Sequence, residues 1–377
     1  MNVEVCQEIP PDRVFLRGRR MAEDFFRASD EQLSHAGGWD LVFGDRFGRG
    51  VLNVDGARHR ELRKALMPVL TKRAADDYRA LVREVFGRAL ALVEPDRPID
   101  VHALTRKAVF EVSAALFAGI HAAEAMDLLA AYTDLQDPGA PLGDPNGDRV
   151  ARRIVKARRR MRETLMRAVD RMGAEDGPVR RLRELPDGPA DAAIAENLGI
   201  VILAGFDTTS FVTARLLWLL AHHPGHQDAI REDATEALLE SAFVETMRLH
   251  PPLAWLPRRA ETDLRFGETL IPAGSAVFYA VAESHRDPEL FDAPHEFRPE
   301  RHRAAEPDRF ALTPFSAGRR LCPGVHVATM EVKLITTMVL RRFRLSAEPG
   351  DHVGDVSHNG STVTPAAELL VRFHELS

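Results

Sequence analysis

The chain has 377 residues, a formal net charge of −6, 45% hydrophobic residues and 28% charged residues. This length is enough for one large core or a few small domains, and the acidic balance argues against nucleic acid as a partner. Two cysteines are too few for a disulfide framework or a thiolate zinc site, and we find no secretory signal pattern and no apolar run of about 20 residues, so we expect a cytoplasmic protein without a membrane span.

The first 50 residues predict short elements. Residues 3–16 alternate apolar and polar around two prolines, which predicts a hairpin. Residues 20–27 predict a short helix. The glycine-rich stretch 36–50 contains Trp39 and Phe43 and predicts a loop, which either faces a substrate or lies on the surface.

His59 and Arg63 are four residues apart, so on a helix they lie on one face. Two such cations form either a solvated basic face or a site for an anion such as a carboxylate. The residues alone do not choose between these two readings.

The next hundred residues are mainly helical in pattern. Apolar positions recur at helical spacing from 78 to 129. Residues 137–147 and 177–189 predict loops. Between them, the arginine-rich stretch 149–171 predicts an amphipathic surface helix, which we favour over a nucleic-acid or membrane site.

Residues 196–220 allow two interpretations. In one, 200–203 is a buried strand, Gly205 a turn, and Asp207 the cap of a following helix. In the other, one long buried helix is loosened at Gly205 and at the two threonines that follow Asp207. A weakened polar position inside a helix is a place where a ligand crevice can form.

The C-terminal third predicts mixed structure. Glu245 and Arg248 are one helical turn apart, which alone predicts a weak surface pair. Residues 271–279 predict a hairpin with a glycine turn. A helix is expected from just after Cys322 to about 343, and 359–373 predicts a final hairpin.

Cys322 lies in a glycine-rich segment. Gly318 and Gly324 flank it and allow backbone to approach something bulky, while Pro323 is typical of a helix start. One interpretation is a small buried side chain. The other is a thiolate, favoured by a helix N-terminus and by the cations Arg319 and Arg320, that binds heme iron.

Five motifs between residues 55 and 324 resemble the cytochrome P450 family, in the family's order. They are Phe315-x-x-Gly-x-Arg-x-Cys-x-Gly324, His59-x-x-x-Arg63, Ala204-Gly-Phe-Asp-Thr-Thr209, Glu245-x-x-Arg248 and the later Arg301. The resemblance favours one long helix over residues 196–220. It implies a mainly α (α+β) fold in one domain, 1–377, with a small β-rich portion at about 1–30 and 255–285.

The resemblance also implies a cofactor, heme b, and roles for individual residues. Cys322 would ligate the iron, with Phe315, Gly324 and Ala204 around the cofactor. His59, Arg63, Arg258 and Arg320 would bind the propionates, with Arg259 only a neighbour. Asp207 and Thr208 would deliver protons. Glu245, Arg248 and Arg301 would hold the fold. Ile200, Leu203, Leu253 and Trp255, with Trp39 and Phe43, would contact substrate.

The implied function is a monooxygenase that uses dioxygen to hydroxylate or epoxidise a small apolar compound in bacterial secondary metabolism. A ferredoxin and its reductase would supply electrons to a monomer, and the substrate would arrive free or bound to a carrier. Alternatives are oxidative coupling, peroxygenase chemistry and a non-catalytic relative that recruits partners. Two departures from the family are expected: a missing opening helix, and Ser316 in place of a common glycine.

Overall fold

A computed structural model describes residues 13–44, 46–136, 147–173, 177–233, 235–303, 308–348, 356–359 and 362–376. The α-helices in these ranges are α1 (Gly18–Arg27), α2 (His35–Phe43), α3 (Gly56–Leu66), α4 (Lys72–Asp77), α5 (Arg79–Ala91), α6 (Val101–Ala118), α7 (Ala122–Gln136), α8 (Gly147–Met172), α9 (Pro178–Arg183), α10 (Asp191–His222), α11 (Pro224–Glu232), α12 (Ala237–Leu249), α13 (Val281–Ser284) and α14 (Val325–Arg342).

Four small sheets accompany the helices. The strands are β1 (Arg13–Leu16), β2 (Leu33–Ser34), β3 (Pro98–Asp100), β4 (Trp255–Ala260), β5 (Leu264–Phe266), β6 (Thr269–Ile271), β7 (Ala276–Ala280), β8 (Phe343–Ala347), β9 (Val356–Asn359), β10 (Thr362–Pro365) and β11 (Leu370–Glu375). Within the described ranges the sheet orders are β1-β7-β4-β2, β3-β11-β8, β5-β6 and β9-β10. Among the described strands, β1 and β7 are the one parallel pair, with Arg13 opposite Ala276.

Helix α10 is the centre of the main core, and nearly all of its residues from Ile194 to Ala221 are buried. It packs against α6, α8, α12 and α14. Among the described residues, α10 is the one helix that by itself is long and apolar enough to cross a membrane. The bent pair α6–α7 is long and apolar enough only when the two helices are counted as one span. Because 83% of the apolar window of α10 is buried inside the protein, we interpret it as a core helix.

Several predicted elements are confirmed. Residues 196–220 form one helix, as the second interpretation has it, and the stretches 20–27, 149–171 and 325–342 are helical. The predicted final hairpin over 359–373 is shifted: β10 pairs with β9, which begins at Val356, and β11 joins a different sheet. The predicted partner strand of β1 in the first hairpin and the loop 137–146 lie outside the described residues.

Two predicted loops are helices instead. Residues 35–43 form α2 and 178–183 form α9. The glycines of α2 predicted a loop, but they serve packing: a Cβ on Gly38 would lie 2.5 Å from the Cα of Arg258. Contact with β4 therefore outweighs the helix cost of about 1 kcal/mol per glycine.

The predicted hairpin over 271–279 is wrong. β6 pairs with β5, while β7 pairs with β1 and β4. β1 and β7 are separated by more than 250 residues of chain, so no local pattern indicates their pairing. The strands β3, β8 and β11 also lie outside the predicted β-rich ranges.

Candidate active site

A cavity of about 270 Å³ lies between α10 and the loop that precedes α14. Gly205 allows α6 to approach α10 at this place: a Cβ on it would lie 3.3 Å from the Ser113 hydroxyl. The lining is mainly apolar. Residues of α10 on the cavity wall are Ile200, Val201, Leu203, Ala204, Gly205, Thr208, Thr209 and Val212.

The Cys322 loop forms the opposite wall. The Cys322 amide donates to the Phe315 carbonyl at 2.8 Å, which closes the loop. Gly318 has φ +63°, and a Cβ on it would lie 2.5 Å from the Phe26 carbonyl oxygen, so only glycine fits there. Cys322, Phe315 and Gly324 all line the cavity.

The surroundings of the thiol differ from the sequence prediction. Cys322 lies before Gly324, the residue that caps α14, and Arg319 is exposed. Burial raises the pKa of the Cys322 thiol, and a Gly324 hydrogen bond and the charge of Arg63 only partly oppose this. The protein alone therefore favours the neutral thiol, and a bound metal cation is what would stabilise the thiolate.

Arg258 is a buried cation without a carboxylate partner. Its side chain lies over the Phe25 ring at 4.8 Å, and its one hydrogen bond among the described residues goes to the Pro257 carbonyl, 2.8 Å from Nη1. Burial, together with the charge of Arg320, lowers the pKa of Arg258 to about 9. A buried guanidinium of this kind is stabilised by an anion placed in the cavity.

The other predicted propionate ligands also face the cavity. Arg320 already holds two carboxylates, Asp30 at 2.9 Å and Asp55 at 2.6 Å, and only its Nε is buried without a partner. Burial and the neighbouring arginines lower the pKa of His59 to about 4, so the surrounding protein groups favour the neutral imidazole at pH 7, whereas the sequence prediction has His59 as a second cation.

These residues fit a heme. One wall has a thiol, and the cations Arg63, Arg258 and Arg320 line the same space. Thiolate on one side and cations at one edge are the donors that an iron porphyrin with propionates requires. No cluster of three or more His, Cys, Asp or Glu side chains suited to a metal ion occurs in the described ranges.

The predicted proton-relay pair is divided by the structure. Thr208 lines the cavity, and its hydroxyl donates to the Ala204 carbonyl at 2.8 Å. Asp207 does not line it. Its Oδ1 accepts from Arg106 Nη1 at 2.7 Å, and its Oδ2 is buried without a hydrogen-bond partner in the described residues.

The comparisons agree with this architecture. A family model described as Cytochrome P450 matches residues 152–373, more than half of the chain. The chain belongs to the cytochrome P450 family. Cyclooctat-9-en-7-ol 5-monooxygenase of Streptomyces melanosporofaciens is 30% identical over 334 residues, 78% of this chain and 72% of the relative. A putative cytochrome P450 138 of Mycobacterium tuberculosis is 26% identical over 92% of this chain and 82% of its own length.

Solved structures show the same fold. Retinoic acid bound cyanobacterial CYP120A1 superposes with a TM-score of 0.86 at 21% identity, over 96% of this chain and 89% of the other. The protein is thus a P450 monooxygenase, an oxidoreductase whose cofactor is heme with a thiolate-ligated iron. Membership confirms the predicted family, fold class, enzyme class and cofactor.

Three of the four predicted substrate contacts line the P450 cavity. They are Ile200, Leu203 and Leu253, and Trp39 and Phe43 join them from α2. Trp255 is a correction: it packs edge-on to Phe15 and does not line the cavity. Leu256 takes its place, because side chains alternate along β4 and Leu256 shares the inner face with Arg258.

Glu245, Arg248 and Arg301, the three residues predicted to hold the fold, meet in one buried network. Arg248 donates to both carboxylate oxygens of Glu245 at 2.8 Å, and Arg301 Nε lies 3.0 Å from Oε1. His302 joins them at 2.7 Å. Burial alone would raise the pKa of Glu245, but the hydrogen bonds from Arg248 and His302 lower it to about 2.

Arg106 and Glu331 are further residues that were not predicted from the sequence. Arg106 joins Asp207 to Gln136 at the end of α7, 2.6 Å from Nη2. Glu331 of α14 lines the cavity, is 3% exposed, and its burial raises its pKa to about 8. An acid among Val327, Met330 and Val332 was a visible signal for a special role, whereas nothing local marks Arg106.

Proposed function

We propose that Cys322 is the axial ligand of the heme iron and that α10 forms the oxygen side of the site. The observation that supports this most is the cavity itself, which has the Cys322 thiol on one wall and Thr208 on α10 among the apolar residues of the other. His326, the next candidate ligand, is exposed and does not line the cavity.

Thiolate-ligated heme supplies the activation of dioxygen. The chain's own residues prepare the site for that chemistry. The apolar wall of α10, with Leu253 and Leu256, excludes water and favours an apolar substrate. The Thr208 hydroxyl would hold a water at the cavity surface and pass a proton through it. Asp207 would be the proton source behind Thr208. For this its carboxylate would have to leave its partner Arg106.

Arg258, with Arg63 and the free Nε of Arg320, would bind the propionates. Arg258 has the strongest support, because it is buried and its one side-chain hydrogen bond in the described ranges goes to a backbone carbonyl and not to a carboxylate. His59 would contribute as a neutral hydrogen-bond donor. Glu245, Arg248 and Arg301 would keep the loop before Cys322 in position.

The substrate we propose is a small apolar organic compound that is hydroxylated or epoxidised, in a role in secondary metabolism. Support comes from the apolar lining and from the Streptomyces relative, whose name describes oxidation of a cyclooctatenol. We further propose electron supply by a ferredoxin and its reductase, and a monomeric, cytoplasmic protein with residues 1–377 in one domain and no nucleic-acid or membrane partner.

The deciding experiment is the absorption of the reduced protein with carbon monoxide. We expect the band position typical of thiolate ligation, and its loss in Cys322→Ser. An unchanged spectrum in that variant would exclude Cys322 as the ligand, and His326→Ala would then be measured. Spin-state shifts on addition of apolar candidates, with charged analogues as controls, would test the substrate class.

A further inference from the structure

The outward face of α8 has a row of cations that the P450 site does not use. Arg149, Arg152, Lys156 and Arg160 follow one another at spacings of three, four and four residues, so they lie on one helix face over about 16 Å. All four are exposed, and none has an ion-pair or hydrogen-bond partner among the residues that the structure describes. We call these four side chains the α8 cation row.

Several other cations of α8 face acids. Arg171 lies 3.2 Å from Glu124, and Arg167 lies 4.0 Å from the same carboxylate. Arg159 faces Glu163 at 3.8 Å. These three arginines therefore have acidic neighbours, while the four members of the row have none among the described residues, in a chain of net charge −6.

The opposite face of α8 is part of the P450 core. Met161 and Leu165 are buried, and a Cβ on Gly199 of α10 would lie 3.1 Å from Leu165 Cδ1. The next residue of α10, Ile200, lines the cavity. The row thus lies about one helix diameter, roughly 10 Å, outside the cavity wall.

The chemistry of the row favours carboxylates of a protein. Binding to a membrane surface calls for apolar side chains that enter the lipid, but on α8 the one exposed large apolar residue is Val155. No aromatic side chain stands in the row to stack on a base. Three of the four members are arginines, which bind carboxylates in a bidentate manner.

We propose that the α8 cation row docks an acidic helix of a partner protein. A row one side chain wide, with its members one helical turn apart, matches a second helix whose glutamates or aspartates recur with the same spacing. The unpaired charges would speed encounter with such a partner and make binding depend on salt. This proposal is independent of which residue ligates the iron.

The test uses the full heme-loaded protein and a labelled helical peptide of about 18 residues with glutamates at i, i+3, i+7 and i+11. A second peptide has the same four glutamates distributed around the helix. By fluorescence anisotropy we expect the first peptide to bind at least about tenfold more tightly than the second, and to lose affinity steeply between about 50 and 200 mM salt.

The variant Arg152→Glu, Lys156→Glu, Arg160→Glu reverses three of the four charges of the row. The matched control Arg73→Glu, Arg83→Glu, Arg341→Glu makes the same charge change at exposed cations of α4, α5 and α14. We expect the row variant to lose at least about tenfold in affinity for the first peptide and the control to keep it within about twofold. Both variants should keep the wild-type heme spectrum, which separates this result from the ligand assignment.

Equal affinity for the two peptides, or an equal loss in both variants, would overturn the proposal. Anionic lipid vesicles and duplex DNA are measured in parallel. If either binds through the row more tightly than the first peptide does, the partner is a membrane or a nucleic acid and the proposal is wrong.

Discussion

At the residue scale, backbone conformation in the Cys322 loop sets which side chains are tolerated. Ser316 has φ 65° and Gly318 has φ +63°, both in the left-handed region. Glycine reaches this region without steric cost, and serine does not. The sequence showed Ser316 as a departure from the family, but the backbone angle is what gives that departure a cost.

We predict that Ser316→Gly raises the free energy of unfolding by about 1 kcal/mol, because it removes the left-handed strain of a Cβ residue. Gly318→Ala is the matched opposite. Its Cβ would meet the Phe26 carbonyl oxygen at 2.5 Å, so the loop must shift and heme retention should fall. Urea unfolding and the heme-to-protein absorbance ratio measure both. A destabilised Ser316→Gly would show that the hydroxyl has a partner role.

Glu331 predicts a pH effect. Burial raises its pKa from 4.5 to about 8, so the folded protein binds a proton that the unfolded chain releases above pH 4.5. The contribution of this proton to the free energy of unfolding is therefore fully present below pH 4.5. It falls as the pH rises to about 8, by at most about 1.4 kcal/mol per pH unit. Glu331→Gln should flatten this slope in denaturant titrations at several pH values; a wild-type slope in that variant would refute the assignment.

At the element scale, α10 shows what the sequence can and cannot tell. Its single-helix nature followed from the motif, but the motif places Asp207 beside Thr208, while the helix turns their side chains to different sides. The hydrogen-bond partner of Asp207 is Arg106 of α6, which also binds Gln136 of α7. Both lie in distant parts of the chain. The prediction that Trp255 contacts substrate was also wrong, although the alternation of side chains along β4 already favours Leu256 at this place.

Thr208→Ala and Asp207→Asn should differ. Without the Thr208 hydroxyl, reductant consumption continues while product falls and hydrogen peroxide rises. Asp207→Asn should slow turnover by about 10²-fold, and should also destabilise the protein because Arg106, with its side chain 17% exposed, loses its carboxylate.

A double variant separates the two effects of Asp207. Asp207→Asn combined with Arg106→Gln removes both charges, so thermal stability should recover relative to Asp207→Asn alone. Turnover should stay slow if the carboxylate handles protons. Recovery of turnover together with stability would assign Asp207 a purely structural part. Reductant, peroxide and product are measured in every variant.

At the scale of the whole molecule, the buried Glu245 network ties α12 to the segment around Arg301 and His302, which the sequence places more than 50 residues apart. The motif predicted the pairing of Glu245, Arg248 and Arg301. It did not predict His302 or the acceptors of Arg248 on the Pro294 and Glu296 carbonyls, because backbone partners follow no residue code.

The network predicts acid sensitivity. The folded-state pKa of Glu245 is about 2 against 4.5 in the unfolded chain, so its stabilisation is present above pH 4.5 and is lost as pH falls towards 2. Glu245→Gln should cost about 3–5 kcal/mol at pH 7, because Arg248 keeps a buried charge. The loss should shrink in acid. Circular dichroism melts from pH 3 to 7, with the surface variant Glu300→Gln as control, measure this, and an equal loss at all pH values would contradict it.

The cavity wall also sets an order in time. Its residues run from His35 to Val332, so the chain must be synthesised well past Cys322 before both sides of the heme slot exist. At about 5–20 residues per second, synthesis from residue 35 to residue 332 takes roughly 15 to 60 s. Until then no cofactor covers the apolar faces of α2 and α10. Heme therefore enters only after residue 332 has been synthesised, and a chain truncated before Cys322 should not retain it.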